Sequence, residues 1–284
     1  MKITARNTIK QNLFNVARTN FIEVSNKLYN NKLPETNMYK VSLTKTNRQT
    51  YIGNNKPSLT TGQHPYDYSM NGYRPKLWVS FANKYLGGGF LGEDYVQEEI
   101  ITLEFYQMAE MIVKKNIPLM AENEAYIFQN LIRSSISDPV YYKSYKKAQL
   151  KHVDSIQVAD FLAIDAPRRV KREDPYTFEE LRHLCVKSFC GFTGCAKLGH
   201  TEINTGNWGA GVFYNQYAVI YFVQLLSAWL VGIERIEFWM MPDNKDVEQV
   251  IYKFVDSKDI DTFFNDCMKM LKLGKYTMEQ LYSI

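Results

Sequence analysis

Glu98 and Glu99 stand side by side behind Gln97, which seven residues separate from three consecutive glycines, Gly87, Gly88 and Gly89. Two adjacent carboxylates can do proton work: their like charges oppose joint ionisation, which raises the proton affinity of one toward neutrality. Three glycines in a row give up side chains, conformational entropy and strand propensity together. A chain tolerates that where backbone turns sharply or approaches a ligand closely. Each feature alone has a plainer use, as a hairpin turn or as a first helical turn that complements the helix dipole. Their order is more specific: a short apolar segment, then Phe81-Ala82-Asn83, the glycines, and the carboxylates.

A second glycine-rich stretch, TGNWGAGVF over 205–213, lies between a short strand and an apolar helix beginning near Asn215. Backbone amides that turn inward, followed by the partial positive charge of a helix start, suit a diphosphate. No Gly-Lys-Ser/Thr follows, and the spacing is not GxGxxG, so neither a nucleotide-triphosphate loop nor a dinucleotide fingerprint is present.

Both loops need strands and helices to hold them. Residues 77–81 read as a buried strand. A helix follows from near Val96, with Ile101, Phe105, Met108 and Ile112 on one face and Asn116 and Pro118 as its stop. Residues 124–128, 156–164 and 236–240 read as strands, and 201–205 leads into the second loop. Thr177 and Glu180 form a capping box, with Phe178, Leu181, Cys185 and Ser188 along the helix after it. Two helices, 246–254 and 259–271, finish the chain. Strands alternating with helices predict an α/β layered fold with ligand loops at strand ends. Upstream, 9–28 reads as a helix using Leu13, Val16, Phe21, Val24 and Leu28, and 39–43 with 49–52 as a strand pair. Residues 53–75, rich in Gly, Pro, Asn, Thr and Tyr, read as a long loop. The Tyr- and Lys-rich tract 138–150 reads as exposed.

The 284 residues, 45% of them hydrophobic, suffice for one substantial core with appended elements. A net charge of +4 suits an anionic ligand and is too small to argue direct DNA binding. Aromatics reach 14%, most of them expected in packing. Cys185, Cys190, Cys195 and Cys267 contain no CxxC pair and suggest no disulfide framework, so they read as reduced packing thiols. His183 and His200 lie near the first three, but packing outweighs a metal site there. The first 19 residues lack an apolar run, so no cleaved signal is expected. Residues 218–232 are apolar but shorter than the roughly 20 a spanning helix needs, and Gln224 interrupts them, which predicts a buried helix. A cytoplasmic monomer off the membrane is expected, with delivery into a host cell open if the source is bacterial.

Taken in order, FANKYLGGG with QEEI, FLAIDAP, KSFCGF at 187–192 and TGNWGAGVF with its apolar helix resemble the poly(ADP-ribose) glycohydrolases. The likeness spans roughly 76–243. It implies a macrodomain-like layered fold, a central mixed sheet flanked by helices, with residues 1–75 as an N-terminal accessory layer packed on a main fold of 76–284. It implies an ADP-ribosyl glycohydrolase that needs no metal or cofactor. Its partners are ADP-ribosylated proteins or poly(ADP-ribose). By motif position, Glu99 is the catalytic acid/base, and Glu98 and Asn83 hold the ribose of the scissile unit. Gln97 belongs to the same motif, and Gly87, Gly88 and Gly89 line the diphosphate and ribose. The second loop, with Thr205, Gly206, Asn207, Gly209, Gly211 and Phe213, closes over the diphosphate from the other side.

Departures bear on the substrate. Ser80 stands where animal members carry an Asp. The segment that supplies a Tyr over the ribose has no clean match, with Tyr141, Tyr142 or Tyr145 as stand-ins, and the Phe that stacks on adenine near the late strand has no assigned counterpart, with Phe238 and Trp239 nearby. These leave open two alternatives: removal of single ADP-ribose units, for example from arginine, and a non-catalytic ADP-ribose reader, against which the intact carboxylate pair argues.

Overall fold

A computed structural model of the chain describes residues 5–29, 32–44, 55–62, 66–68, 75–87, 96–115, 117, 119–138, 149–155 and 157–283. Its centre is a seven-stranded mixed sheet. The middle strands are β7 (Val158–Asp165), β3 (Lys76–Ala82) and β8 (Glu202–Thr205), all parallel. On one side β4 (Glu124–Ile132) joins β7 antiparallel and β1 (Asn37–Ser42) joins β4 antiparallel. On the other side β9 (Arg235–Trp239) and the edge strand β2 (Ser58–Gly62) continue parallel to β8. Every residue of β7 is buried, as a central strand covered on both faces requires.

Side chains alternate across the sheet and feed two cores. Leu77 and Val79 of β3 face one core with Leu162 and Ile164, beneath α4 (Phe178–Lys197) and α5 (Tyr217–Val231). Trp78 and Ala82 face the other, with Phe161, Phe105 and Met108. Helix α5 is the predicted apolar segment. Phe222, Leu225 and Leu226 are each fully buried, at about 1.5–3 kcal/mol apiece. The outer helices α6 (Lys245–Asp256) and α7 (Ile260–Met270) cover it. Thr177 caps α4 through Glu180 as the sequence predicts, the hydroxyl accepting the Glu180 N–H at 3.2 Å. A last short helix, α8 (Met278–Leu281), packs on α4.

The structure differs from the sequence reading in several places. The helix after the first loop is two, α2 (Gln97–Glu104) and α3 (Tyr106–Lys115), broken at Phe105. The Glu104 carbonyl accepts the N–H of Ser134 at 2.9 Å, outside the helical ladder. All four apolar positions of the expected face are still buried. Strand β1 pairs with β4; its expected partner 49–52 lies outside the described residues, as do Asn116 and Pro118. Within the expected long loop 53–75, residues 58–62 form edge strand β2, and Tyr66 and Tyr68 pack against Trp78 at ring distances of 4.7 and 5.4 Å. Residues 1–75 thus supply both edge strands of the sheet, and α1 (Ala5–Tyr29) lies over α2 and α3 through Leu13 and Ala17. The tract 138–150 begins and ends in a two-stranded hairpin, β5 (Ser135–Asp138) with β6 (Gln149–His152). Among the described residues no helix is long and apolar enough to cross a membrane.

Candidate active site

Strand β3 delivers Phe81, Ala82 and Asn83 to the C-terminal end of the sheet, and α2 begins opposite them. Gln97 acts as a short extra strand: its Oε1 accepts the Phe81 N–H at 2.8 Å and its Nε2 donates to the Val79 carbonyl at 3.0 Å. Glu98 closes the turn. Its Oε2 accepts the Asn83 N–H at 2.9 Å and its Oε1 the Gly87 N–H at 2.6 Å. One carboxyl group thus pins both ends of the turn to the helix start. Gly87 sits at φ 90°, a conformation that favours glycine. Gly88 and Gly89 lie outside the described residues.

Glu99 comes one residue later and is 2% exposed. Its Oε2 lies 3.4 Å from the Val96 N–H, a long contact beside the two short ones that Glu98 makes. Glu98 is equally buried, and burial pushes its carboxyl up to about 8, against the pull of the two amides and helped by the charges of Glu99 and Asp165. The expected raised proton affinity therefore falls on Glu98.

A cavity of about 330 Å³ sets the end of β3 and the start of α2 against the second loop. One wall is Phe81, Asn83, Gln97, Glu98 and Glu99; the facing wall is Asn207, Gly209, Gly211 and Val212 to Tyr214. Of the predicted residues, Thr205, Gly206 and Gly87 are not among its lining. Thr205 hydrogen-bonds through its hydroxyl to Gln224 behind the wall, and Gly206 accepts from the Gln224 amide at 3.1 Å. The Asn207 side chain is engaged at both ends, donating to the Met240 carbonyl at 2.9 Å and accepting from the Tyr221 hydroxyl at 3.3 Å. Phe238 is fully buried and stacks on Tyr221 at 4.2 Å, which removes it as a platform for a base. Trp239 keeps partial exposure. Tyr141, Tyr142 and Tyr145 lie outside the described residues.

The second loop is held by Gly209, named from the sequence, and by residues the sequence reading missed. Gly209 has φ 66°, and a Cβ there would lie 2.5 Å from the Cβ of Ala166, so glycine lets the loop press against the segment after β7. Trp208 donates to the Ile164 carbonyl at 3.1 Å. Asn215 donates to the carbonyls of Pro167 and Gly209 at 2.9 and 3.0 Å and accepts from the Tyr176 hydroxyl. Arg172 donates to the carbonyls of Asn215 and Ala210 and lies 4.4 Å over the Tyr217 ring. Arg168 lines the cavity and is exposed. The basic run 168–172 is the signal that could have marked this brace.

Beneath the cavity, Asp165 ends β7 next to a fully buried Lys187, Nζ lying 2.7 Å from Oδ1. Burial works against the Asp165 charge, but His183 and Lys187 outweigh it and hold the carboxyl below its ordinary value. Lys187 also donates to the carbonyls of Ala121 and Glu124, which fixes β4 to α4. The four cysteines are buried, and burial pushes the thiols of Cys185, Cys190 and Cys267 up to about 12, so they stay protonated. Among the described residues no three His, Cys, Asp or Glu side chains gather as a metal site.

Residues 67–247 match the family described as poly(ADP-ribose) glycohydrolase, macro domain fold. The chain is also similar to solved structures of poly(ADP-ribose) glycohydrolases. One from Thermomonospora curvata has a TM-score of 0.51 at 14% identity, over 88% of this chain and 98% of that one. The same enzyme bound to the inhibitor ADP-HPD has a TM-score of 0.53 at 13% identity, over 88% and 98%. One from Deinococcus radiodurans in complex with ADP-ribose has a TM-score of 0.51 at 13% identity, over 95% and 99%. At such identities these likenesses speak for the fold; the family match carries the assignment.

Proposed function

Because the chain belongs to the poly(ADP-ribose) glycohydrolase family, we propose that it hydrolyses the ribosyl bond of ADP-ribosylated substrates and releases ADP-ribose. The observation that carries this is one cavity in which a carboxylate pair faces a glycine-rich loop. Breaking a ribosyl bond passes through a cation-like sugar, which nearby carboxylates stabilise. In this reading Glu99 gives its proton to the leaving atom as the C1 bond breaks. Water then attacks C1 and returns a proton to Glu99. Glu98 serves twice: it fixes the turn bearing Asn83, and each of its oxygens keeps a lone pair for a ribose hydroxyl. The amides around Gly209 and Gly211 take the diphosphate. Gln97 acts through β3, since both ends of its amide are taken.

Residues 1–75 are read as an accessory segment that completes the sheet edges. Every lining residue of the cavity comes from 81 onward. The test is release of free ADP-ribose from automodified poly(ADP-ribose) polymerase and from an arginine-ADP-ribosylated protein. Release from the polymer is expected. Release from the arginine substrate alone would move the assignment to single-unit removal, and release from neither, with tight ADP-ribose binding, would make the protein a reader.

A further inference from the structure

The second loop crosses the C-terminal end of the sheet. At one end the Asn207 side chain donates to the Met240 carbonyl, next to β9, at 2.9 Å. At the other the Phe213 carbonyl accepts the Arg169 N–H at 2.9 Å, in the segment that follows β7. Between β7 and β8 lies β3, which delivers Asn83. In the hydrolase reading Asn83 and Glu98 hold the scissile ribose, and the amides around Gly209 and Gly211 take the diphosphate. The diphosphate then runs toward β9, and the group released from C1 leaves toward β7.

A surface of distinct chemistry borders that exit. Arg169 is buried; its guanidinium donates to the carbonyls of Arg172, Asp174 and Pro175 and lies 3.8 Å over the Tyr176 ring. The residues around it face outward: Arg168 and Lys171 are exposed, and Val170 is 86% exposed. The bond from Arg169 to Phe213 sets them beside Val212 and Tyr214, 52% and 45% exposed. Arg168, Val212 and Tyr214 also line the cavity, so this surface is continuous with the site. Single exposed apolar side chains are ordinary, but three that adjoin one cavity on pinned backbone mark a contact surface. Tyr214 holds φ 57°, a conformation that favours glycine, and its hydroxyl has no hydrogen-bond partner among the described residues. Strain kept for the sake of an exposed ring fits a ring that meets a ligand. Among the described residues neither Arg168 nor Lys171 has a carboxylate partner. Glu173 and Asp174 follow and are exposed, yet the run 168–174 keeps a net positive charge.

We propose that this rim is the docking surface for the polypeptide that carries the ADP-ribose, and that it favours modification sites flanked by acidic residues. The inference rests on the hydrolase reading above and names the acceptor that the site serves. The valines and Tyr214 suit apolar side chains of a peptide, and the two cations suit its carboxylates. A poly(ADP-ribose) chain brings phosphates to the same cations but no aliphatic side chain to Val170, so it forms a separate arm of the test.

Val170→Ser and Lys171→Glu, neither of which lines the cavity, are made in the wild-type chain and in the hydrolysis-blocked Glu99→Gln chain. The probes are two synthetic peptides, each carrying one arginine-linked ADP-ribose, flanked by glutamate and leucine in one and by lysine and leucine in the other. Free ADP-ribose and poly(ADP-ribose) are measured beside them. In the blocked background the glutamate-flanked peptide should bind more tightly than the lysine-flanked one and than free ADP-ribose. Lys171→Glu should weaken it about tenfold at low salt and strengthen the lysine-flanked peptide, both effects narrowing as salt rises. Val170→Ser should weaken both peptides by about threefold at either salt. Free ADP-ribose should stay within about twofold throughout. In the active chain, kcat/KM on the two peptides should move in the same order, with polymer unchanged.

A wild-type chain that does not distinguish the two peptides would overturn the proposal, as would Lys171→Glu acting equally on both. A loss shared by the polymer would assign the rim to polymer instead and would also overturn it. Absence of hydrolysis by the wild-type chain would defeat the hydrolase reading, while the peptide binding comparison would still decide the rim.

Discussion

Replacing Glu98 by glutamine should change how stability depends on pH, and the structure sets the size of the change. In the folded chain burial pushes the Glu98 carboxyl up to about 8, whereas in the unfolded chain it titrates near 4.3. Between those values the folded state holds a proton that the unfolded state has lost. Stability from this group is therefore fully present below about pH 4.3 and is lost as pH rises through 8. The slope is about 1.4 kcal/mol per pH unit, with a ceiling of about 5 kcal/mol across the window. A glutamine in its place cannot titrate, so that slope disappears. The substitution also places an amide NH2 against one of the two backbone donors, from Asn83 or Gly87, that the carboxylate now accepts. That leaves one buried N–H unmatched, at about 1–3 kcal/mol, independent of pH. Urea unfolding of both proteins at pH 5, 6, 7 and 8 reads both effects. Glu98→Gln should be the less stable at pH 5, and the difference should shrink by about 1.4 kcal/mol for each unit of pH. Parallel pH profiles would mean that Glu98 binds its proton no more tightly in the fold than outside it.

Other consequences are local. Gly209→Ala must both hold a positive φ and push a methyl into Ala166, so it should cost roughly 2–4 kcal/mol by urea unfolding. Gly199→Ala, at φ 85° with open space around it, should cost only about 1–2 kcal/mol; equal costs would count against the close approach at Gly209. Lys187→Met takes the nearest cation from the buried Asp165 carboxylate and should destabilise by about 3–5 kcal/mol, and adding Asp165→Asn should recover part of the loss. A double variant as unstable as the sum of the two singles would show that the pair is not coupled.

The site was readable in the sequence where its chemistry demands particular residue types in order. Glycines, adjacent carboxylates and a capping box are local signals, and the strands and helices that carry them follow apolar periodicity. What escaped depends on distant partners. Nothing in Ser58–Gly62 has the apolar alternation of a half-buried strand, because β2 is a mostly exposed edge held by backbone bonds to β9. The break at Phe105 is invisible in the apolar spacing, since the side-chain pattern continues across it. A carbonyl drawn to Ser134 makes it. Gln97 looks like a ligand residue until its amide is seen completing β3. The braces from Arg172 and Asn215 join segments about 40 residues apart that only the folded chain brings together.

In the proposed mechanism Glu99 moves the proton, in a cavity walled by the carboxylate pair and the second glycine-rich loop. The most direct measurement compares Glu99→Gln with the wild-type chain for ADP-ribose release from poly(ADP-ribose) and, by calorimetry, for ADP-ribose binding. A fall of about 10²–10⁴ in kcat with affinity within a few-fold is predicted, the signature of a lost general acid/base. Hydrolysis that survives the substitution at near wild-type rate would contradict the account.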